Sequence, residues 1–223
     1  MIDPNNITNF ERTTNELEEF LMFSIMVAGK NSETTAKKLH EFLADKPNGL
    51  SPFEYLGELQ RVDADGIDKA LRKHKTGQYT RISQAFRQIL MFDKDKLKDA
   101  SIQMLEAVRG VGPKTSRFFL LHSRPNQNFA VLDVHILRWL GKHFAFRRYA
   151  QTPPIKAYRV MEKFFLSVVG VLKTTSAELD LEIWTNKKNE DYLTALYERY
   201  LRMKHKQEIA KFMYQAEAHI NAA

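Results

Sequence analysis

Apolar residues recur at intervals of three and four along most of this 223-residue chain. That spacing is typical of amphipathic α-helices, because it gathers the apolar side chains on one face. In segment 14–27, for example, Leu17, Phe20 and Leu21 share a face. Glycine and proline are scarce, at nine and seven residues, which disfavours a turn-rich sandwich or barrel. No segment alternates convincingly as a strand would, so the sequence predicts an all-α fold.

The composition excludes several kinds of site and compartment. The chain has no cysteine, which excludes disulfides, thiolate zinc sites, iron–sulfur clusters and a cysteine nucleophile. Its first twenty residues lack the basic and then apolar pattern of a secretory signal. No apolar run reaches the length of a membrane helix. We therefore expect an intracellular protein that has no membrane partner. We also expect a monomer, although the composition does not bear on that.

The net charge favours a polyanionic partner. The chain has 34 Lys and Arg against 27 Asp and Glu, a formal charge of +7, and a pI near 9.4. Nucleic acids attract such a protein over long distances. Many basic proteins bind no nucleic acid, however, so the charge raises the odds only modestly.

Capping residues and prolines indicate where several helices begin. Ser51 precedes Pro52, the pattern of an N-cap followed by proline at the first helical position. Thr175 and Glu178 have the spacing of a capping box. We further predict helices over 64–73 and 79–92, one that starts at 153–154, and a long closing helix from 191 onward.

Residues 105–122, LEAVRGVGPKTSRFFLLH, predict two helices joined by a tight turn. Gly110 and Gly112 allow a positive φ and a close approach of the backbone to a ligand. Pro113 opens the next helix, so the exposed amides of the turn would form an anion site at a helix N-terminus. A DNA phosphate would suit that site. A plain helix–turn–helix corner is the alternative, since two glycines two apart are a weak signal.

Lys114 lies in the first turn of the second helix, where the positive end of the helix dipole disfavours an ammonium. Such a cation requires a phosphate partner or a reason to lose its proton, and only a neutral amine attacks carbon. The alternative is a surface lysine whose ammonium reaches water. The spacing by itself favours that alternative.

Asp133 interrupts an apolar segment in residues 130–140, AVLDVHILRWL. Its place before a helix face makes it a natural N-cap, and most aspartates in such positions are caps. A cap between buried segments also holds a desolvated carboxylate. His135 follows two residues later.

Taken together, GVGPKTS and VLDVHILRWL resemble the helix-hairpin-helix DNA glycosylase superfamily, which contains endonuclease III and the 8-oxoguanine DNA glycosylases. Its members have a glycine-turn hairpin followed by a catalytic Asp with His two residues later. Bifunctional members also have a lysine where Lys114 stands. AGKNSE at 28–33 is similar to the archaeal 8-oxoguanine enzymes, and D-L-x-x-W at 180–184 resembles a late helix of the cysteine-free 8-oxoguanine branch. The cluster cysteines of endonuclease III and the terminal lysine of one 8-oxoguanine branch are absent.

The resemblance implies one all-α glycosylase unit with two helical lobes and the active cleft between them. The lobes would comprise about 30–112 and 1–29 together with 113–223, with the hairpin at 105–122. The implied activity is that of a bifunctional DNA glycosylase/AP lyase on damaged duplex DNA, with 8-oxoguanine as the leading substrate. Lys114 would attack C1′, Asp133 would stabilise the developing sugar cation, and the Schiff base would allow β-elimination.

The resemblance also implies binding residues around this catalytic pair. His135 would contact a phosphate or orient Asp133, and Lys30 and Asn31 would fill the gap left by the flipped base, unless they form an ordinary solvated loop. A monovalent cation fits the hairpin, and no other cofactor or metal is required. The hairpin contacts with phosphate would come from Gly110, Val111, Gly112 and Thr115. The base pocket would be lined by Phe118, Asp180 and Trp184, although aromatic residues at helical spacing usually belong to a core.

Two other functions remain open. A non-catalytic hairpin module would bind the DNA backbone without releasing a base, and a lysine–aspartate pair argues against it. An enzyme of the same fold that acts on modified pyrimidines would leave the strand intact. Release of free base from lesion-bearing oligonucleotides separates these functions.

Overall fold

The structure is a computed structural model that describes residues 1–92 and 94–221, with the backbone alone for 94–96 and 212–221. Throughout these residues every regular element is a helix, which confirms the all-α prediction. The chain divides by its internal contacts into two compact units, 1–127 and 128–223. The lobes expected above stay a prediction.

The first unit contains seven α-helices and one 3₁₀-helix in its described part. They are α1 (Thr14–Met26), α2 (Ser32–Ala44), α3 (Pro52–Val62), α4 (Gly66–Lys73), α5 (Tyr79–Ile89), the 3₁₀-helix (Lys94–Asp99), α6 (Ile102–Glu106) and α7 (Pro113–Ser123). The second unit contains α8 (Val134–His143), α9 (Ile155–Leu172), α10 (Ser176–Thr185) and α11 (Glu190–Asn221).

Helix α1 is the centre of the first unit. From Leu17 to Met26 every residue except Glu19 is buried, as expected of a helix that is apolar on most sides. It packs against α2, α3, α5, α7 and the 3₁₀-helix. The buried carboxylate of Glu18 accepts the Phe53 amide at 2.8 Å in the first turn of α3, where the helix dipole favours a negative charge.

The core of the second unit lies among α8, α9, α10 and α11. Trp139 and Tyr158 are its largest fully buried side chains, and the indole nitrogen of Trp139 donates to the Leu193 carbonyl at 3.1 Å. Among the described helices, none is both long and apolar enough to cross a membrane.

Most predicted helix starts are confirmed. Ser51 and Thr175 both cap their helices within complete capping boxes. The predicted helix at 64–73 begins later, at Gly66, because the Gly66 amide closes a turn on the Asp63 carbonyl. The predicted helix at 79–92 ends at Ile89, since Met91 and Phe92 bond three residues back instead of four.

Candidate active site

The hairpin turn has one position that requires glycine. Gly110 has φ +86°, a conformation that favours glycine. Gly112 is extended, with φ −104° and ψ −176°, so of the two glycines Gly110 is the one that adopts the positive φ that both allow. Pro113 then opens α7, as predicted.

The backbone amides of the turn differ in whether they have a hydrogen-bond partner within the protein. The Arg109 amide donates to the side-chain oxygen of Gln88 at 2.5 Å, and the Val111 amide donates to the Val108 carbonyl at 3.0 Å. Within the described part of the chain, the amides of Gly110, Gly112 and Lys114 have no partner. Sequence reasoning placed Val111 among the phosphate donors, but the structure engages its amide inside the turn. The available donors are therefore the other three.

Lys114 lies at the second position of α7 and is half-buried. Its ammonium lies 5.1 Å from the centroid of the Phe118 ring, one helical turn further on, a distance at which a cation is attracted to an aromatic face. The Phe118 ring also contacts Phe20, at 5.6 Å between centroids, and His122, at 5.1 Å. Lys114 and Phe118 are thus brought together, while the base-pocket role of Phe118 stays a prediction.

The first turn of α7 is fixed to α6 and to its own cap. Ser116 and Arg117 donate to the Glu106 carboxylate at 2.8 and 2.9 Å. Thr115 is 5% exposed and its amide donates to the Gly112 carbonyl. Its predicted contact with DNA stays a prediction, and its visible task is packing.

Asp133 caps α8 with only one of its two carboxylate oxygens. Oδ1 accepts the amides of His135 at 2.8 Å and Ile136 at 2.9 Å. Oδ2 takes part in neither bond and has no hydrogen-bond partner among the described residues. The capping interpretation is therefore confirmed, and it leaves one oxygen available for chemistry.

The segment before Asp133 is held by α9. The Tyr158 hydroxyl donates to the Ala130 carbonyl at 2.6 Å and accepts the Leu132 amide at 3.2 Å. The Glu162 carboxylate accepts the Ala130 amide at 3.1 Å. The sequence predicted a helix from 153–154 but neither of these contacts, because no local signal marks a side chain that bonds to a segment 26 or more residues away.

His135 begins a basic face on α8. Arg138 and Lys142 follow at helical spacing, and all three line a small cavity with His143. Burial, followed by the nearby charge of Lys142, lowers the pKa of His143. Lys142 pairs with Glu190. The phosphate contact of His135 stays a prediction.

Lys30 and Asn31 have structural partners in the first unit. The Lys30 ammonium donates to the carbonyls of Thr76 at 2.6 Å and Gly77 at 3.2 Å. Burial, with Arg81 and Lys38 nearby, lowers its pKa to about 8. Asn31 caps α2 by accepting the Thr34 amide at 2.9 Å. Their predicted place in the gap left by a flipped base stays a prediction.

Asp180 and Trp184 lie one turn apart on α10, so they share a face of that helix. Asp180 is 7% exposed, and the Lys187 ammonium lies 3.2 Å from the centroid of the Trp184 ring. Asp133 and this pair belong to the second unit, whereas the hairpin and Lys114 belong to the first.

Over the described residues, no group of three or more His, Asp or Glu side chains could hold a metal ion.

No protein-family model matches this sequence, and no curated protein matches it. A solved structure does: the crystal structure of the 8-oxoguanine glycosylase/lyase of Methanocaldococcus jannaschii, in complex with a 15mer DNA containing 8-oxoguanine. It superposes with a TM-score of 0.63 at 20% sequence identity, over 81% of this chain and 84% of that chain. The chain therefore has the fold of that glycosylase/lyase, which confirms the fold that the resemblance predicted.

Proposed function

We propose that this protein is a bifunctional DNA glycosylase/AP lyase that excises a damaged base, with 8-oxoguanine as the leading substrate. One observation carries the proposal. The unpartnered amides of Gly110 and Gly112 are followed, in the first turn of α7, by Lys114, whose own amide is also unpartnered among the described residues. The shared fold supports it, because the protein of that fold in the solved complex is itself a glycosylase/lyase.

The hairpin would bind one backbone phosphate. The amides of Gly110, Gly112 and Lys114 would donate to its oxygens at the N-terminus of α7, where the helix dipole favours an anion. Backbone donors fix the register of the DNA without reading its sequence. The side chain of Lys114 would then belong to the same residue as the last of the phosphate donors.

The damaged nucleotide would leave the stack before the chemistry starts, since its glycosidic bond is inaccessible within a duplex. Phe118 and Trp184 would stack on the flipped base, and Asp180 would accept a hydrogen bond from it. Each of these assignments follows from the resemblance stated above.

In the reaction, the neutral amine of Lys114 would attack C1′ of the damaged nucleotide. A C1′–N bond to lysine forms while the C1′–N bond to the base breaks, and the base leaves with the electron pair and takes up a proton. Oδ2 of Asp133 would stabilise the positive charge on the sugar and accept the proton that the amine loses. Ring opening gives a Schiff base, and loss of a C2′ proton then expels the 3′ phosphate by β-elimination. This sequence requires no cofactor.

Borohydride trapping tests the proposal. Duplexes carrying 8-oxoguanine, thymine glycol, uracil or an abasic site are incubated with the protein, and any imine is reduced to a stable adduct. We expect an adduct on one base lesion that disappears in Lys114→Gln, with Lys37→Gln as the control, because Lys37 is an exposed lysine of α2. An adduct on the abasic site alone would leave the base unidentified. No adduct on any duplex would favour the non-catalytic module or the enzyme of modified pyrimidines.

A further inference from the structure

Arg81, on the first turn of α5, joins three backbone segments of the first unit. Its Nε donates to the Gln78 side chain at 2.8 Å. One terminal nitrogen donates to the Ile25 carbonyl at 2.9 Å, at the end of α1, and the other to the Gly110 carbonyl at 3.4 Å. The guanidinium thereby contacts the hairpin turn, α1 and the loop before α5 at once. Burial lowers the pKa of Arg81, and among the described residues it has no carboxylate partner.

The hairpin turn also rests on the aliphatic part of Arg81. A Cβ atom added at Gly110 would lie 2.9 Å from Cγ of Arg81 and 3.5 Å from its Cδ. A separation under 3 Å is a clash, so the side chain of Arg81 occupies space that any side chain at position 110 would need. The glycine is required by this contact as well as by its positive φ.

These contacts fix the direction of the peptide planes in the turn. The plane between Gly110 and Val111 is held on both sides, because its carbonyl accepts from Arg81 and its amide donates to Val108. Two residues before Val111, the Arg109 amide donates to the side-chain oxygen of Gln88. Both external partners, Arg81 and Gln88, come from α5. Because these groups are bonded within the protein, the amides of Gly110 and Gly112 remain available to a ligand.

We propose that Arg81 is a positioning residue for phosphate binding: it holds the hairpin turn in the conformation that presents its amides to DNA. Through Gln78 it also connects this turn to loop 75–78, which the Lys30 ammonium holds from the other side. The inference rests on the proposed function in one respect, namely that the hairpin binds a DNA phosphate. It assigns Arg81 no contact with the phosphate itself.

A charge-conserving substitution distinguishes positioning from direct contact. Arg81→Lys keeps the positive charge, but one ammonium cannot reach acceptors in three directions. Arg87→Lys is the matched control, since Arg87 lies on the same helix and bonds instead to Asp68 and the Ala64 carbonyl. Binding is measured by fluorescence anisotropy on a duplex with an uncleavable abasic analogue, at several salt concentrations. Excision is not needed for this measurement.

We expect Arg81→Lys to raise the Kd about tenfold, the effect of losing one or two hydrogen bonds. The slope of log Kd against log salt should stay that of the unmodified protein, because no phosphate-bound charge is lost. Arg87→Lys should leave Kd and slope unchanged. An unchanged Kd in Arg81→Lys would overturn the proposal, and so would a shallower salt slope in Arg81→Gln, which would identify Arg81 as a direct phosphate contact.

If Arg81→Lys unfolds, Gln78→Gly tests the proposal by itself, and an unchanged Kd in Gln78→Gly would then overturn it. If Arg81→Lys folds, the two variants are also combined. Gln78→Gly removes the Nε partner and suits the positive φ of 51° at this position. It should weaken DNA binding by a smaller factor and add no further loss in the Arg81→Lys background; full additivity would contradict the coupling. Absence of any DNA binding by the unmodified protein would overturn both this inference and the proposed function, whereas binding without base release would overturn only the latter.

Discussion

The hydroxyl of Tyr158 bonds to the Ala130 carbonyl at 2.6 Å and to the Leu132 amide at 3.2 Å, so one side chain satisfies two backbone groups on either side of Val131. Tyr158 is fully buried on α9, and the segment it holds leads directly into Asp133. The position of the carboxylate therefore depends on a phenol from another helix.

Replacing that phenol should affect stability and activity together. Tyr158→Phe leaves a buried carbonyl and a buried amide without this partner, which costs about 1–3 kcal/mol for each unsatisfied group. We expect a lower urea midpoint and slower single-turnover base release. Tyr192→Phe is the control, because Tyr192 is exposed and its hydroxyl donates an exposed hydrogen bond to the carboxylate of Glu182. Full activity in Tyr158→Phe would mean that the Asp133 segment needs no support from α9.

Substitutions at Asp133 should distinguish its role as a helix cap from its proposed role in catalysis. Asn retains a side-chain oxygen that can accept the His135 and Ile136 amides, so Asp133→Asn should change stability by less than about 1 kcal/mol. It removes the negative charge, and base release should fall by about two orders of magnitude or more. Asp133→Ala should lose both the cap and the activity. The reverse result, a lower melting temperature of Asp133→Asn with activity retained, would make Asp133 a cap only.

The two hairpin glycines should respond differently to alanine. Gly110→Ala places an alanine at a positive φ and brings its Cβ against Arg81. The variant should lower the free energy of unfolding by at least about 1 kcal/mol. Gly112 is extended, and an added Cβ would meet no atom within 4 Å. Gly112→Ala should therefore leave the free energy of unfolding nearly unchanged. Comparable losses in the two variants, measured by urea unfolding, would contradict the assigned turn geometry.

Lys30 should make stability depend on alkaline pH. Burial and the charges of Arg81 and Lys38 lower its pKa to about 8 from the usual 10.5. Between these pH values the unfolded chain binds more protons than the native one, so stability rises with pH in that window. Below pH 8 the lysine is charged in both states and the slope disappears.

The measurement is urea unfolding at pH 7, 8, 9 and 10 on the unmodified protein, Lys30→Met and Lys37→Met. As pH rises, the free energy of unfolding of the unmodified protein should increase relative to that of Lys30→Met. Lys37 is exposed, with 76% of its side-chain surface accessible, so Lys37→Met should show no such shift. Parallel curves for all three proteins would mean that the Lys30 ammonium is not desolvated.

Local patterns were sufficient to predict the helices and their caps, but not the partners of the site residues. Ser51, Thr175 and Asp133 cap helices that follow them directly, so four residues of sequence are enough to predict each cap. The donors of the hairpin were predicted less well. Val111 was expected to face outward, but the direction of each peptide plane depends on Gln88 and Arg81, which lie 21 and 29 residues from their partners.

Lys30 shows the same limit. The sequence left two interpretations of Lys30 open, a solvated loop and the gap left by a flipped base, and neither included the carbonyls 46 and 47 residues away to which its ammonium donates. Loop 75–78 has left-handed conformations at Lys75, Gly77 and Gln78. Non-glycine residues rarely adopt them, so the carbonyls that receive this lysine could not be placed from the sequence.

A binding turn whose donors are main-chain amides places few constraints on the residue types in the sequence. Any residue except proline supplies an N–H at positions 112 and 114, so other changes of side chain do not remove the donors. What must persist is the shape of the backbone, through Gly110 and the α5 side chains that brace it. Comparison of relatives position by position would therefore undervalue this turn and overvalue its neighbours. Proteins that share the fold at 20% identity could retain such a turn while its residues change.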